Sequence, residues 1–351
     1  SPGVHVGAVT VAASGASQTI FVEYTVNGPP SLVPDQTRLN FAYVIGQALP
    51  APQSSKIYAT DSVAMAASTG TNWTAVNPAA TTAPGTLTVT VSPNNLPSLT
   101  PGTYQDSVTI TSTGVSNSPL IVPVTLVVAA QAPHFDASNV VNAASFAPGP
   151  LAPGSLFSIL APSLATLTAT APGADYPLLL GGVSMAIDGT PVPLQYVSPT
   201  QINAETPFSI ALGEHSLVLT VNGIAGDPVQ ITIASTAPGL FLVNGRAAVL
   251  NQDYSLNTPA NPAAAGGVVM AYFTGQGAVQ QMGSDPLSYT AAPTSAAIGG
   301  HTAPVLFSGL APGFVGLAQA NIMVPSLDPG DYGLTITVGG VASNAASISV
   351  H

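Results

Sequence analysis

Asn251, Asp253, Ser255 and Asn257 place four oxygen-bearing side chains at alternate positions, the run in this chain that comes nearest to a calcium loop. A dedicated loop adds a bend glycine and a closing bidentate Glu, since calcium takes about six to eight oxygens. Here Tyr254 occupies the bend and no Glu follows, so an Asx-type turn competes with the metal reading. The five histidines, His5, His134, His215, His301 and His351, are scattered with no two at metal-ligand spacing. The acids are isolated too. Asp328 and Asp331 flank a Pro-Gly turn, Glu214 precedes His215, and no adjacent pair offers a glycosidase its two carboxylates. Gly275-Gln-Gly277 lacks the third glycine and the helix that phosphate cradling needs, no Gly-x-Ser-x-Gly elbow occurs, and cysteine is absent. The expectation is no catalytic residue, no cofactor and no metal, with Asn251 to Asn257 kept as the calcium candidate.

Two further features are chemical. Gln201-x-Asn203 followed by Pro207 returns as Gln319-x-Asn321 followed by Pro325. Such paired amides suit a polar ligand groove; the expected reading is that each ties down the backbone of a neighbouring loop, since buried amides must be satisfied. Trp73, the sole tryptophan, is expected in the core, with stacking on a glycan as the alternative. It sits in Asn72-Trp73-Thr74, a glycosylation sequon by pattern.

The elements that must position these residues are strands. Of 351 residues only 5% are charged, while Gly and Pro number 34 each, too many breakers for long helices. Alternation at period two recurs: Ile20, Val22, Tyr24 and Val26; Leu87, Val89 and Val91; Leu217, Leu219 and Val221; Leu334, Ile336 and Val338. Turn pairs such as Pro84-Gly85, Asp188-Gly189 and Asn222-Gly223 separate them. The fold class expected is all-β, tandem immunoglobulin-like antiparallel β-sandwiches of seven to nine strands, with Val89, Val108, Val124, Leu219, Ile231, Ile336 and Ile348 inward. A net charge of -11 with three basic residues excludes nucleic acid as a main partner. The most apolar run, Leu120 to Ala130, contains Pro123 and is too short to span a bilayer, so no membrane insertion is expected. Ser1-Pro2-Gly3 opens no signal peptide, and any export signal is expected upstream or removed.

Two internal repeats divide the chain. Residues 2 to 26 match residues 101 to 126, Val9-Thr10-Val11 falling on Val108-Thr109-Ile110 at an offset of 99 and Thr25 on Thr125 at 100. The chain thus opens on the last two strands of a module whose complete copy follows. In the C-terminal half, Gly154 to Leu160 (GSLFSIL) corresponds to Gly267 to Phe273 (GVVMAYF), Ile187-Asp-Gly189 to Ile298-Gly-Gly300, Tyr196 to Phe307, and Val221-Asn-Gly223 to Val338-Gly-Gly340. The offset drifts across Ser308 to Gly316, where the second copy carries an insertion. The expected modules are 1–30 (incomplete), 31–130, 131–236 and 237–351, joined by linkers at Gly28-Pro29-Pro30, Ala130 to Pro133 and Ser235 to Gly239.

Residues 31–130, with LNFAY, Trp73, TLTVTVSPNNL and PGTYQDSVTITS, resemble a BACON-type immunoglobulin-like sandwich, and residues 1–30 the tail of another. Residues 139–351, with NVVNAASFAPGPLAPGSL, YVSPTQINAETP, STAPGLF, AVLNQDYSLNTPANPA and YFTGQGAV, resemble the C-terminal domain family of large secreted acidobacterial proteins, each half similar to an IPT/TIG sandwich. The resemblance implies export and no assigned activity; BACON modules are presumed to bind glycans or mucin.

The function expected is a non-enzymatic structural or adhesive protein, extracellular or at the cell surface, forming part of a fibre or filament. The alternative is a carbohydrate-binding module array with polysaccharide as partner. A lone hairpin would leave Val9, Val11, Ile20, Val22, Tyr24 and Val26 with nothing to pack against. They are the candidate assembly residues, covered by upstream modules of the same chain or by other copies of itself through strand addition.

Overall fold

The computed structural model describes residues 3–13, 16–26 and 28–351, and within the first hairpin the side chains of 5–11, 19–20 and 22–24. The chain is all-β, built of tandem immunoglobulin-like sandwiches. Its helical content among the described residues is two single 3-10 turns, Pro93–Asn95 and Ala137–Asn139, and no helix there is long and apolar enough to cross a membrane. The chain divides into two compact units, residues 1–131 and 132–351.

In the first unit, strands Gly3–Ala13 and Ala16–Val26 pair, among the described residues, only with each other. The sandwich that follows has a five-stranded sheet, in the order Leu39–Val44, Leu120–Ala129, Gly102–Thr111, Val63–Thr69 and Ala80–Ala83, facing a four-stranded one. Leu39–Val44 runs parallel to Leu120–Ala129, which departs from a wholly antiparallel plan. Both sheets alternate buried and exposed positions, so Leu87, Val89 and Val91 meet Val108, Ile110, Val122 and Val124 in one core.

The second unit contains two cores. One joins Phe157, Ile159, Ile202, Leu217, Leu219 and Ile231 between two five-stranded sheets. The other joins Val269, Phe273, Ile322, Leu334, Ile336 and Ile348 between a seven- and a five-stranded sheet. All seven residues expected to point inward are buried. Strand numbers exceed the expected seven to nine in this unit because two-residue strands such as Ile224–Ala225 and Val341–Ala342 extend the sheets.

The two sister sandwiches carry the same hairpin turns. Asp188-Gly189 and Asn222-Gly223 have φ of 47, 80, 51 and 82°, and their counterparts Gly299-Gly300 and Gly339-Gly340 have 60, 80, 60 and 87°. Two successive left-handed residues make a type I′ turn, which matches the twist of the strands it joins. One expected correspondence moves by a residue. Ser158 lies across from Asn203 and Met270 across from Asn321, so Gly154 matches Gly266 rather than Gly267. Both glycines adopt left-handed φ (67 and 74°), and their amides bond the equivalent carbonyls of Thr206 and Val324. A one-residue shift turns a strand inside out, so cross-strand partners, not the GSLFSIL pattern, decide the match.

Candidate functional site

The first hairpin presents a continuous apolar face. Cross-strand register places Val9 opposite Ile20, Gly7 opposite Val22 and His5 opposite Tyr24, all on one side, and the His5 and Tyr24 rings stack with centroids 5.3 Å apart. Val9, Val11, Ile20, Val22 and Tyr24 are 46–59% exposed. Val26 belongs to the same strand, and its side chain lies outside the described residues. In the complete copy the equivalent side is fully used: Val108, Ile110, Val122, Val124 and Leu126 are no more than 2% exposed. The register differs, for Val108 faces Val122 whereas Val9 faces Ile20 rather than the corresponding Val22. That slip of two residues keeps every side chain on its side.

The paired amides bond other side chains rather than the backbone of neighbouring loops. Gln201 Nε2 donates to Asn203 Oδ1 at 2.8 Å, and Gln319 Nε2 to Asn321 Oδ1 at 2.7 Å. In the first sister the chain continues: Ser158 Oγ donates to Asn203 Oδ1, Asn203 Nδ2 to Gln195 Oε1, and Gln195 Nε2 to the Tyr176 hydroxyl. The amides satisfy one another along a half-buried sheet face, where strand spacing brings alternate side chains into reach. Glu205 ends this row, and burial raises its carboxyl to about 7.

In the loop from Asn251 to Asn257 most of the side chains bond within the fold. Asn257 Nδ2 donates to Asn251 Oδ1 and to the Ser349 carbonyl, while Asn257 Oδ1 accepts the Ser349 amide. Asn251 Nδ2 donates to the Asn261 carbonyl, and Asp253 accepts from the amide and hydroxyl of Ser255. Tyr254 takes the left-handed bend at φ 65°. Among the described residues no three His, Asp or Glu side chains gather in one place. Trp73 is 4% exposed and packs in the core of its sandwich.

Sequence reasoning passed over two sites. The segment Thr274-Gly-Gln-Gly277 joins the two sister sandwiches. Thr274 Oγ1 accepts the Leu156 amide and donates to the Gly316 carbonyl, both at 2.8 Å, and Gln276 Nε2 donates to the Gly154 carbonyl at 3.2 Å. Gly275 and Gly277 press on the backbone of Ala237 and Ser235, where a Cβ would collide. Thr236 to Gly239 therefore form a packed seam rather than a free linker: Thr236 is 3% exposed and bonds the Val338 carbonyl, and the Ala237 carbonyl accepts from Asn142. The inserted loop completes the seam, bringing Gly316 against Leu156. The second site is a hollow of ≈ 390 Å³ in the last sandwich, between Thr290 to Thr294 and Val305 to Ser308.

No protein-family model and no curated protein matches the chain. Among solved structures the chain is similar to SGBP-B of the Bacteroides ovatus mixed-linkage glucan utilization locus, in complex with a mixed-linkage heptasaccharide. The identity is 13% and the TM-score 0.28, over 93% of this chain and 71% of that one. It is similar to domains 4–9 of the surface layer protein SbsC at 13% identity and a TM-score of 0.22, over 99% of this chain and 54% of that one. Likeness to the titin tandem I9–I11 is at 8% identity and a TM-score of 0.18, over 91% and 98% of the two chains. At these values the likenesses carry no argument about what the chain binds or does.

Proposed function

We propose that the protein is a non-enzymatic structural or adhesive component of the cell surface or extracellular matrix, and that copies join into a filament through the first hairpin. One observation carries this reading: the side of the hairpin formed by Val9, Val11, Ile20, Val22 and Tyr24 is exposed, while the equivalent side of strands Gly102–Thr111 and Leu120–Ala129 lies in a core. Exposed strands with an apolar face are templates for pairing with another chain. In this reading the facing strands come from another copy, as an alternative to upstream modules of the same chain, and a contact that joins the hairpin to a different surface of the next copy repeats head to tail and grows without closing. A chain with only 5% charged residues opposes such stacking only weakly. The resemblance of residues 31–130 to BACON modules, and of 139–351 to the acidobacterial secreted family, supports an extracellular address.

The test is removal of residues 1–27, with assembly followed by sedimentation and electron microscopy and folding by circular dichroism. The full chain is expected to form concentration-dependent multimers, and the shortened chain to remain monomeric with its strands intact. Unchanged assembly after the deletion, or a monomeric full chain at high concentration, overturns the reading.

A further inference from the structure

Ser308 occupies a core position of the last sandwich, yet its hydroxyl is buried and has no hydrogen-bond partner. The sister sandwich shows what that place ordinarily holds. Strands Leu194–Val197 and Val305–Leu310 share a bulge before Tyr196 and Phe307, and the residue after each, Val197 or Ser308, lies across from Ile202 or Ala320. Val197 is fully buried and apolar. A hydroxyl substituted there with nothing to bond is destabilising, and a buried polar group that the fold does not satisfy calls for a specific explanation, a ligand group or an ordered water among them.

The surroundings differ in the same place. In the first sister a neighbouring strand covers this edge, Ala169 pairing with Val197 and Thr170 with Tyr196. In the second, the neighbouring strand Ser288–Thr290 forms a single ladder pair with Val305–Leu310, Tyr289 with Gly309, and adds the Thr290 Oγ1 bond to the Ser308 carbonyl, so Leu306 and Phe307 have no ladder partner on that flank. That opening is the ≈ 390 Å³ hollow. Ser308 is its one buried lining residue. Above it stand Tyr289 and Phe307, packed edge to face at 5.2 Å, with the exposed side chains of Met282 and Leu306, and Gln280, Thr290 and Thr294 add neutral polar groups. No charged residue lines it. Tyr289 is fixed by its hydroxyl, which donates to Asp285 at 2.8 Å.

We propose that this hollow binds a neutral sugar unit, the ring faces against Tyr289, Met282 and Leu306 and a hydroxyl on Ser308. The chemistry selects this class: a wall of aromatic, thioether and aliphatic groups suits C–H faces, hydroxyl and amide groups suit sugar hydroxyls, and the lack of charge favours neither phosphate nor acidic sugars. The volume lies at the small end for ligand sites of roughly 300–1,000 Å³, which fits a short glycan segment. Strand addition by a peptide is disfavoured, because Thr290 Oγ1 already bonds the Ser308 carbonyl and the Thr290 to Thr294 loop walls the flank.

The test titrates the full chain with neutral gluco-, manno- and galacto-hexaoses, read by amide and methyl chemical-shift perturbation and by calorimetry. At least one hexaose is expected to bind saturably, with shifts centred on Gln280 to Thr294 and Val305 to Ser308. Ser308→Val, which restores the sister residue, is expected to fold with an unchanged or higher Tm and to bind at least tenfold more weakly; Ser308→Ala, with no added bulk, gives the same loss. Tyr289→Ala is expected to weaken binding similarly. Absence of binding by all hexaoses, binding that maps elsewhere, or affinity unchanged in both Ser308 variants overturns the proposal.

Discussion

Glu205 and His215 set the pH response of the first sister sandwich. Burial lifts the Glu205 carboxyl from its ordinary value of 4.5 to about 7, so the folded state holds the proton more firmly than the unfolded chain does. Its contribution is unfavourable once the group ionises, and stability falls as pH rises from 4.5 through 7. His215 acts in the same direction: its bond to Asp188 at 2.7 Å raises its pKa, and that stabilisation, present below the unfolded value of 6.5, is lost as pH climbs through the folded one. Glu205→Gln is therefore expected to raise Tm at pH 8, by roughly 1 kcal/mol of stability after discounting for solvent access, and to leave Tm unchanged at pH 4. Thermal melts at the two pH values measure this, and an equal shift at both refutes it. Little of this was legible beforehand. The sequence marks Glu205 as an isolated acid, and the burial that raises it appears only in the paired strands, at the end of the row of amides.

Among the elements, the strands were readable because a half-buried strand writes period two into its residues, and Val89, Leu219 and Ile336 sit where that period puts them. The seam was not. Ser235 to Gly239 has the composition of a linker, and Gly275 and Gly277 looked like an incomplete phosphate motif, because glycine and proline mark a tight approach between sandwiches as readily as a flexible joint. The repeat contained a usable signal for the hollow, since Ser308 stands where its sister has Val197, but the shared bulge that aligns them appears only in the paired strands. Thr274→Val would leave the Leu156 amide and the Gly316 carbonyl without their bonds in a site that is fully buried. The expected loss is about 1–3 kcal/mol, seen in calorimetry as a lower Tm for residues 132–351 with the sandwich of residues 32–128 melting as before. If Thr274→Val melts like the parent chain, the seam does not depend on that hydroxyl.

At the scale of the molecule, helices are nearly absent and charge is sparse, so cohesion comes from three apolar cores and from neutral hydrogen bonds. Screening acts on charges, so added salt should move stability little. Circular dichroism is expected to show less than about one tenth helix, far under the usual third of a globular protein, and a Tm nearly level between 0.05 and 0.5 M sodium chloride, taken as roughly a threefold change in Debye length. A strong salt dependence would mean that the few ion pairs matter more than their number suggests.

One of those pairs has a bearing on resistance to proteases. Arg246 is the only basic residue after Lys56. Its guanidinium grips the Asp331 carboxylate with two bonds of 3.1 and 2.9 Å and adds a third to Ser349. A trypsin-like protease must draw a free basic side chain into its specificity pocket, and from residue 57 onward this chain has only one to give, already held in a fork. Digestion of the native protein should stop after nicks at Arg38 and Lys56, leaving residues 57–351 as one piece by mass spectrometry. Asp331→Ala should open the lock and add cleavage after Arg246.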